Sequence, residues 1–161
     1  MIATTKKTTR SINIGDSYYY CLSNFSAHRI WFEKRFYYTS EHLYQSVKFL
    51  SSEKSGARNS WVKVRKANSA FLAKKYAHEN RESYREEWRV LNFKIGVMHQ
   101  ILLLKVKQHD DVREALHTTR DKDIIELSHS DSFWGQTYTG KGENWLGRLW
   151  MQVRDEIRTS V

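Results

Sequence analysis

The strongest pattern in the chain is the return of apolar residues every three or four positions in its second half. The longest such run predicts a core-facing helix of about six turns, with apolar positions at Trp88, Leu91, Ile95, Met98, Leu102 and Val106. Ahead of it, Ser83-Tyr84-Arg85-Glu86 has the S-x-x-E form of a capping box, so the helix is expected to begin at Ser83. A final helix, capped by Asn144, is predicted to bury Trp145, Leu149, Val153 and Ile157.

The first half of the chain predicts shorter helices. One is expected to begin with Ser40 as its N-cap, since Glu41 then lies in the first turn and interacts favourably with the helix dipole. Its buried stripe is expected to be Leu43, Val47 and Leu50. Further helices are predicted over about residues 56–66 and 69–80, and a shorter one after Asp110 that buries Val112 and Leu116.

Strands are predicted to be few and short. Residues 12–38 carry aromatic and β-branched clusters broken by Gly15-Asp16 and Ser23-Asn24, which is typical of short strands and loops. Residues 124–127 read as another short strand, and residues 128–143 as a long polar loop. Together these elements predict an α+β fold, a mostly helical single domain over residues 1–161 with a small sheet, in which residues 1–11 form a flexible tail.

Charge is distributed unevenly along the chain. Residues 1–75 carry 14 Lys and Arg against 4 Asp and Glu, whereas residues 76–161 carry 13 against 14. A basic half suits a phosphate-bearing partner, but it also fits a surface that serves solubility alone, and both interpretations stay open. The N-terminus has no apolar signal segment, no run is long enough to span a membrane, and Cys21 is the single cysteine. We therefore expect a cytoplasmic protein with no membrane partner, no structural metal and no cofactor.

The first candidate for chemistry is the helix predicted near residue 40. Glu41, Tyr44, Gln45 and Lys48 are spaced i, i+3, i+4 and i+7 and therefore share one face. That face presents a carboxylate, an amide and an amine in line, with aromatic side chains beside them. A solvent-exposed face with an ordinary Glu–Lys pair would show the same spacing, so this alternative stays open.

The second candidate is the polar loop 128–143, since a loop of this length in a compact domain is usually functional or disordered. Its aromatic and glycine residues argue against disorder. Asp131 and Trp134 suit a pocket in which an indole covers a base or ribose and a carboxylate faces it, although Trp134 would serve equally as a core residue. In the third candidate, Ser23 and Asn24 either orient a ligand or form an Asx-type turn.

These segments, in this order, resemble the NADAR (YbiA-like) family. The resemblance rests on Leu22-Ser23-Asn24-Phe25, on Ser40-Glu41-His42-x-Tyr44-Gln45-x-x-Lys48-Phe49, on Asp131-x-x-Trp134-Gly135 and on Asn144-x-Leu146-Gly147. It also includes Trp88, Lys94, Met98, Glu126 and Arg154, and it covers the chain from about Tyr18 to Arg158.

The resemblance implies an α+β hydrolase that cleaves the N-glycosidic bond between a ribose and a base. Two substrate classes occur in the family: ribosylamino-pyrimidine phosphates of riboflavin synthesis, and ADP-ribose attached to guanine in a nucleotide or in DNA. The basic half favours the second class. The expected partner is therefore a ribosylated or ADP-ribosylated base, either free or carried by DNA or RNA.

Cleavage of such a bond places positive charge on the ribose, which calls for nearby carboxylates. We expect Glu41 and Asp131 to be the stabilising carboxylate and the base. Lys48 is expected either to bind a phosphate or to attack the anomeric carbon and form a Schiff base with the opened ribose. The expected substrate-binding residues are Ser23, Asn24, Tyr44, Gln45, Trp134, Gly135 and Asn144. Supporting positions are expected at Trp88, Lys94, Glu126 and Arg154.

Two non-catalytic interpretations compete with the enzyme. A basic nucleic-acid-binding module would use the aromatic residues interleaved in the basic half, such as Trp31, Phe32, Phe36 and Tyr37. Its binding would depend steeply on salt and would be indifferent to the carboxylates. A binding-only module that senses ADP-ribose would keep the pocket but release no base.

Overall fold

Six α-helices and four short strands organise residues 11–159, the part of the chain that this computed structural model describes. The strands are β1 (Ile12–Asn13), β2 (Ile30–Phe32), β3 (Arg35–Tyr37) and β4 (Ile124–Ile125). The helices are α1 (Ser40–Val47), α2 (Ala57–Arg65), α3 (Ala70–Glu79), α4 (Leu91–Gln108), α5 (Asp110–Thr118) and α6 (Trp145–Thr159). Short 3₁₀ turns lie at Tyr20–Leu22, Arg81–Ser83 and Glu86–Arg89.

The predicted α+β class, dominated by helices, is confirmed. Its strands form two separate ladders: β1 pairs in parallel with β4, and β2 pairs antiparallel with β3. The single-domain assignment stays a prediction. Of the predicted flexible segment 1–11, residues 1–10 lie outside the described residues.

Helix α1 lies between two apolar clusters. On one side is the main core, built around α4 and α6, whose largest fully buried side chain is Trp150. The Trp150 indole nitrogen donates to the carbonyl of Leu22 at 2.9 Å, which ties α6 to the segment before the hairpin. On the other side, Phe49 packs with alanines of α2 and α3. Because both clusters press on it, nearly all of α1 is buried, including its polar residues.

The starts of the helices show which local signals were correct. Ser69 caps α3 by accepting from the amide of Leu72, in agreement with the predicted start of that helix. At α1 the predicted cap was wrong by one residue, because Thr39 accepts from the amide of His42 and Ser40 already lies in the helix. Both positions carry hydroxyls, and the extended backbone of Thr39 is the one suited to a cap.

The predicted start of the long helix at Ser83 was wrong. Its hydroxyl donates to the carbonyl of Ser55 at 2.8 Å instead of capping the residues that follow. The chain between Arg81 and Arg89 forms two 3₁₀ turns, and α4 begins at Leu91. Trp88 is buried on the second turn, so anchoring this side chain in the core competes with the local capping signal.

Lys105 is a fully buried lysine on α4, at a position that the sequence analysis did not single out. Its ammonium donates to the carbonyl of Ser23 and to the hydroxyl of Ser26, both at 2.7 Å. The Ser26 hydroxyl in turn donates to carbonyls of the same turn. Lys105 thus anchors the segment around Ser23 to helix α4. Burial lowers the pKa of Lys105 to about 7.

This buried cation predicts a stability that rises with pH. A lysine whose folded pKa is depressed costs the fold no stability above its unfolded pKa, and the unfolding free energy decreases as the pH falls from that value towards the folded pKa. Between pH 7.5 and 9, Lys105 should therefore add about 1.4 kcal/mol of unfolding free energy per pH unit. Urea denaturation at several pH values in this range gives the unfolding free energy as a function of pH. This free energy should rise less steeply with pH for Lys105→Met than for the wild type. An unchanged slope would mean that Lys105 is not titrating in the fold.

Candidate active site

A pocket of about 800 Å³ opens where α1, the first half of α4, the loop after β4 and the 3₁₀ turn at Tyr20–Leu22 meet. Twelve of the fourteen residues that the sequence singled out line it. They are Ser23, Asn24, Glu41, Tyr44, Gln45, Lys48, Trp88, Lys94, Glu126, Asp131, Trp134 and Gly135. Residues separated by more than a hundred positions in the chain therefore face one cavity of the size that small-molecule sites usually have.

Glu41 lies at the floor of this pocket as a buried acid. It is 6% exposed, and its Oε1 accepts a hydrogen bond from Gln45 Nε2 at 2.7 Å. Burial raises the pKa of the Glu41 carboxyl, and the bond from Gln45 together with Lys74 and Lys48 opposes that rise. The open alternative of a solvent-exposed helix face is wrong, because Tyr44 and Gln45 are also buried.

Lys48 follows one turn later, inside a cage of aromatic rings. Its Nζ lies 5.5 Å from the ring centre of Tyr44, 5.0 Å from that of Tyr84 and 5.3 Å from that of Trp88. Burial lowers the pKa of Lys48 to about 8, although the nearby Glu41 charge opposes this change. An appreciable fraction of this amine is consequently uncharged near neutral pH, which is what a nucleophilic lysine needs.

Asp131 organises the loop that closes the pocket. Its Oδ1 accepts from the amides of Phe133 at 3.3 Å and Trp134 at 3.0 Å, and its Oδ2 lies 3.6 Å from Lys74 Nζ. Both carboxylate oxygens therefore have protein partners. The Trp134 ring that this turn positions meets Tyr44 edge to face at 5.5 Å between centroids, so it packs on the core and lines the pocket at once.

Glu126 is a third carboxylate in the pocket wall, at a position where the sequence indicated only a supporting role. Burial raises its pKa to about 7, with further upward contributions from Asp131 and Glu41. The loop packs closely on it, since a Cβ at Gly135 would lie 2.7 Å from the Glu126 carbonyl oxygen. Only glycine fits so close to this carbonyl, so packing alone explains why position 135 is a glycine.

Two buried acceptors in the pocket have no partner among the described residues. They are Asn24 Oδ1 and Gln45 Oε1, and each belongs to an amide whose nitrogen is already engaged, with Met98 Sδ and with Glu41 respectively. Buried polar atoms are rarely left unpaired in proteins, so these two indicate where a ligand donates hydrogen bonds. Ser23, in contrast, uses its hydroxyl for the local turn by accepting from the amide of Phe25.

Asn144 and Arg154 do not belong to the lining of the pocket. The Asn144 side chain accepts from the amide of Glu126 and donates to the carbonyl of Ile124, so it fastens β4 to the start of α6. Arg154 donates to the Thr119 hydroxyl and to the carbonyl of Lys122. The predicted ligand-binding role of Asn144 is thus replaced by a structural one, since both of its polar atoms are occupied.

The sequence missed Lys74 and its neighbours on α3. Phe71, Lys74, Lys75 and His78 line a smaller cavity of about 330 Å³, which shares Gln45, Lys48, Phe71 and Lys74 with the main pocket. We call it the α3 annex. The spacing i, i+3, i+4 and i+7 was visible in the sequence. These four side chains lie on a different face of α3 from its buried alanines. That difference between the two faces could have identified them as candidate site residues.

Neither a metal-binding cluster nor a candidate membrane-spanning helix is present among the described residues. Across residues 11–159, no cluster of three or more His, Cys, Asp or Glu side chains has an arrangement that could hold a metal ion. In the same part of the chain, no helix combines the length and the apolar character that crossing a membrane requires.

Comparison with known proteins matches the chain to a family. The NADAR domain family matches residues 12–158. The chain is 35% identical over 143 residues to the N-glycosidase Npun_R5314 of Nostoc punctiforme, covering 87% of this chain and 86% of that protein. The chain belongs to the NADAR family.

Other members of the family extend the comparison. The N-glycosidase YbiA of Escherichia coli is 30% identical over 135 residues, covering 84% of this chain and 79% of YbiA. The NMR structure of E. coli YbiA superposes with a TM-score of 0.77, covering 94% of this NADAR protein and 87% of YbiA. The chloroplastic riboflavin biosynthesis protein PYRR of Zea mays is 32% identical over 148 residues, which are 86% of this chain but 23% of PYRR. Several relatives thus carry the names of glycosidases, which are hydrolases.

Proposed function

We propose that this NADAR protein is an N-glycosidase that hydrolyses the bond between C1 of a ribose and a nitrogen of a base. One observation carries the proposal: a buried acid, an amine with a depressed pKa, a second acid that titrates near neutrality and two indoles line the same pocket. The names of the relatives point to the same bond type.

The reaction places its charges where the pocket has matching groups. As the C1–N bond breaks, its electron pair leaves with the base and positive charge develops on C1 and the ring oxygen. Glu41 faces this charge as a carboxylate, and Trp134 covers the ring. A water molecule adds its hydroxide to C1, and the base takes up one proton. Because both Asp131 oxygens have partners, we assign the proton transfers to Glu126 instead of the predicted Asp131, and Asp131 positions Trp134 and Lys74.

Glu126 as the proton donor predicts a pH dependence. The donor must be protonated, and burial raises its pKa to about 7. On the direct route, in which water attacks C1 and Lys48 is not the nucleophile, base release under saturating substrate should therefore fall as the pH rises through about 7. This decrease at alkaline pH should disappear in Glu126→Gln, whose base release should be slower and should depend less on pH. If the variant keeps the wild-type decrease, the titrating donor is another group.

Lys48 fits a covalent route through its partly uncharged amine. Attack of Nζ on C1 expels the base, and opening of the ribose ring converts the adduct to a Schiff base that water hydrolyses. Borohydride would reduce this Schiff base to a stable secondary amine. The direct route, in which water attacks C1, leaves no adduct and gives Lys48 an electrostatic role.

The α3 annex favours a substrate that carries phosphate. Lys74, Lys75 and His78 supply cationic or hydrogen-bonding side chains beside the cavity, and exposed Phe71 offers a ring for stacking. The main pocket and the annex share four lining residues and are therefore adjacent, so an extended ligand could reach from one into the other. We propose ADP-ribose linked to guanine as the substrate, with the ribosylamino-pyrimidine phosphates as the alternative within the same activity.

Lys75→Ala combined with His78→Ala should raise KM for a phosphorylated substrate by about tenfold or more while changing kcat little. Neither side chain is placed near C1, so the loss is one of binding. The matched control is the same substrate without its phosphate, for which the double variant should resemble the wild type. An equal rise in KM for both substrates would contradict a phosphate site in the annex.

The activity is tested by incubating the protein with ADP-ribosylated guanine nucleotide and, separately, with a ribosylamino-pyrimidine phosphate. Mass spectrometry should detect free base from at least one of them, and we expect it from the guanine compound. Release from the pyrimidine compound alone would overturn the substrate assignment but keep the glycosidase. Tight binding of either compound without release would contradict the enzyme and support a binding module.

A further inference from the structure

A rigid aromatic platform lies outside both cavities, on the hairpin formed by β2 and β3. Trp31 and Phe36 are cross-strand partners whose rings lie 4.4 Å apart between centroids. Trp31 is 46% exposed, Phe36 56% and the following Tyr38 51%. Neighbouring exposed rings of this size on the surface of a domain mark an interaction surface. We call Arg29, Trp31, Phe36 and Tyr38 the hairpin platform.

The platform is held in place before any partner arrives. Gln108 at the end of α4 accepts from the amide of Trp31 at 2.7 Å and donates to its carbonyl at 2.9 Å. On the other strand, Arg65 of α2 donates to the carbonyl of Phe36. A surface fixed in this way loses little conformational entropy on binding.

One guanidinium group lies against a platform ring, and two more lie against Trp61 of α2 beside the hairpin. Arg29 lies 5.5 Å from the ring centre of Tyr38, and Arg35 and Arg65 lie 5.3 and 5.2 Å from that of Trp61. Among residues 11–159, none of these three arginines forms an ion pair with a carboxylate. The hairpin itself carries a single acid, Glu33. Exposed rings beside unneutralised guanidinium groups are the combination that binds bases and phosphates of a single strand.

We infer that the hairpin platform binds single-stranded nucleic acid, with unpaired bases stacked on Trp31 and Phe36 and phosphates near the arginines. A duplex would keep its bases out of reach of these rings. A second copy of this chain is disfavoured, because a twofold contact would bring two arginine-rich faces together. The platform shares no residue with the pocket, so this inference does not depend on the glycosidase activity.

The test is fluorescence anisotropy with a labelled oligothymidine of about 12 nucleotides, titrated with the whole protein. The wild type should bind, and its affinity should fall steeply between about 50 and 200 mM salt. The double substitution Trp31→Ala and Phe36→Ala should weaken binding by about tenfold or more, since each ring is expected to stack on a base. Arg29→Ala should reduce the slope of log affinity against log salt by about 1.

The control for the rings is Tyr138→Ala, which removes another highly exposed aromatic side chain far along the chain from the platform. It should bind the oligonucleotide like the wild type. Base release from a free nucleotide should be unchanged in the Trp31 and Phe36 double variant, which separates the platform from the pocket. No binding by the wild type at low salt, an equal loss with Tyr138→Ala, or tighter binding of the corresponding duplex would each overturn the inference. The inference would also be overturned if sedimentation showed that the Trp31 and Phe36 double variant differs from the wild type only by dissociation of a dimer.

Discussion

Glu41→Gln is expected to lower base release by about 10²–10³-fold while the fold is retained. The substitution removes the negative charge that faces C1 of the ribose and changes almost nothing else, since the new amide oxygen still accepts from Gln45 Nε2. Burial raises the pKa of Glu41, which means that the ionised form is unfavourable in the fold. The variant should therefore be at least as stable as the wild type above the folded pKa, as measured by thermal unfolding.

Glu114→Gln is the matched control, because Glu114 is exposed on α5 and does not line the pocket. It should keep wild-type turnover. If Glu41→Gln retains turnover within a few-fold of the wild type, Glu41 is not the stabilising carboxylate. If the variant unfolds, the buried acid has a structural role that the hydrogen bond from Gln45 did not suggest.

Lys48→Met should reduce base release by about 10³-fold or more if the amine attacks C1, since it removes the nucleophile and preserves an apolar stem. The same substitution should stabilise the protein. A lysine whose pKa falls to about 8 on folding is unfavourable while charged, so removing it should add about 1–3 kcal/mol at pH 6.5. Activity and unfolding free energy are thus expected to change in opposite directions.

Borohydride trapping separates the two routes open to Lys48. Under turnover, the wild type should gain the mass of the reduced sugar on Lys48, while Lys48→Met should gain none. Lys107→Met, which removes an exposed lysine on α4, should be labelled and active like the wild type. Loss of activity without any adduct in the wild type would leave Lys48 an electrostatic role, and retained activity in Lys48→Met would exclude both roles.

Local signals in the sequence predicted most of the helices but not all of their ends. The predicted start of the helix near Ser69 was correct, because the hydroxyl cap found there depends only on neighbouring residues. Ser83 was wrong because its hydroxyl is used by Ser55, 28 residues earlier, and because Trp88 is anchored in the core. Contacts of this kind come from tertiary packing, which a four-residue pattern does not contain.

The sequence predicted which residues line the candidate site better than it predicted what each of them does there. Glu41, Lys48 and Trp134 were identified by spacing and resemblance, and all three line the pocket. The importance of Glu126 depends on its burial beside two other carboxylates, which arises only when the loop folds over it. Lys105 had a signal, because it continues the buried face of Ile101 and Leu102, but its hydrogen bonds to Ser23 and Ser26 required the fold.

The most direct measurement is a crystal structure of Glu41→Gln soaked with uncleaved ADP-ribosylated guanine nucleotide. We predict that C1 of the ribose lies between the side chain at position 41 and Lys48 Nζ, with Trp134 against the sugar or base and a phosphate towards Lys75 and His78. A bound nucleotide whose ribose lies outside this pocket, with these side chains facing only water, would contradict it.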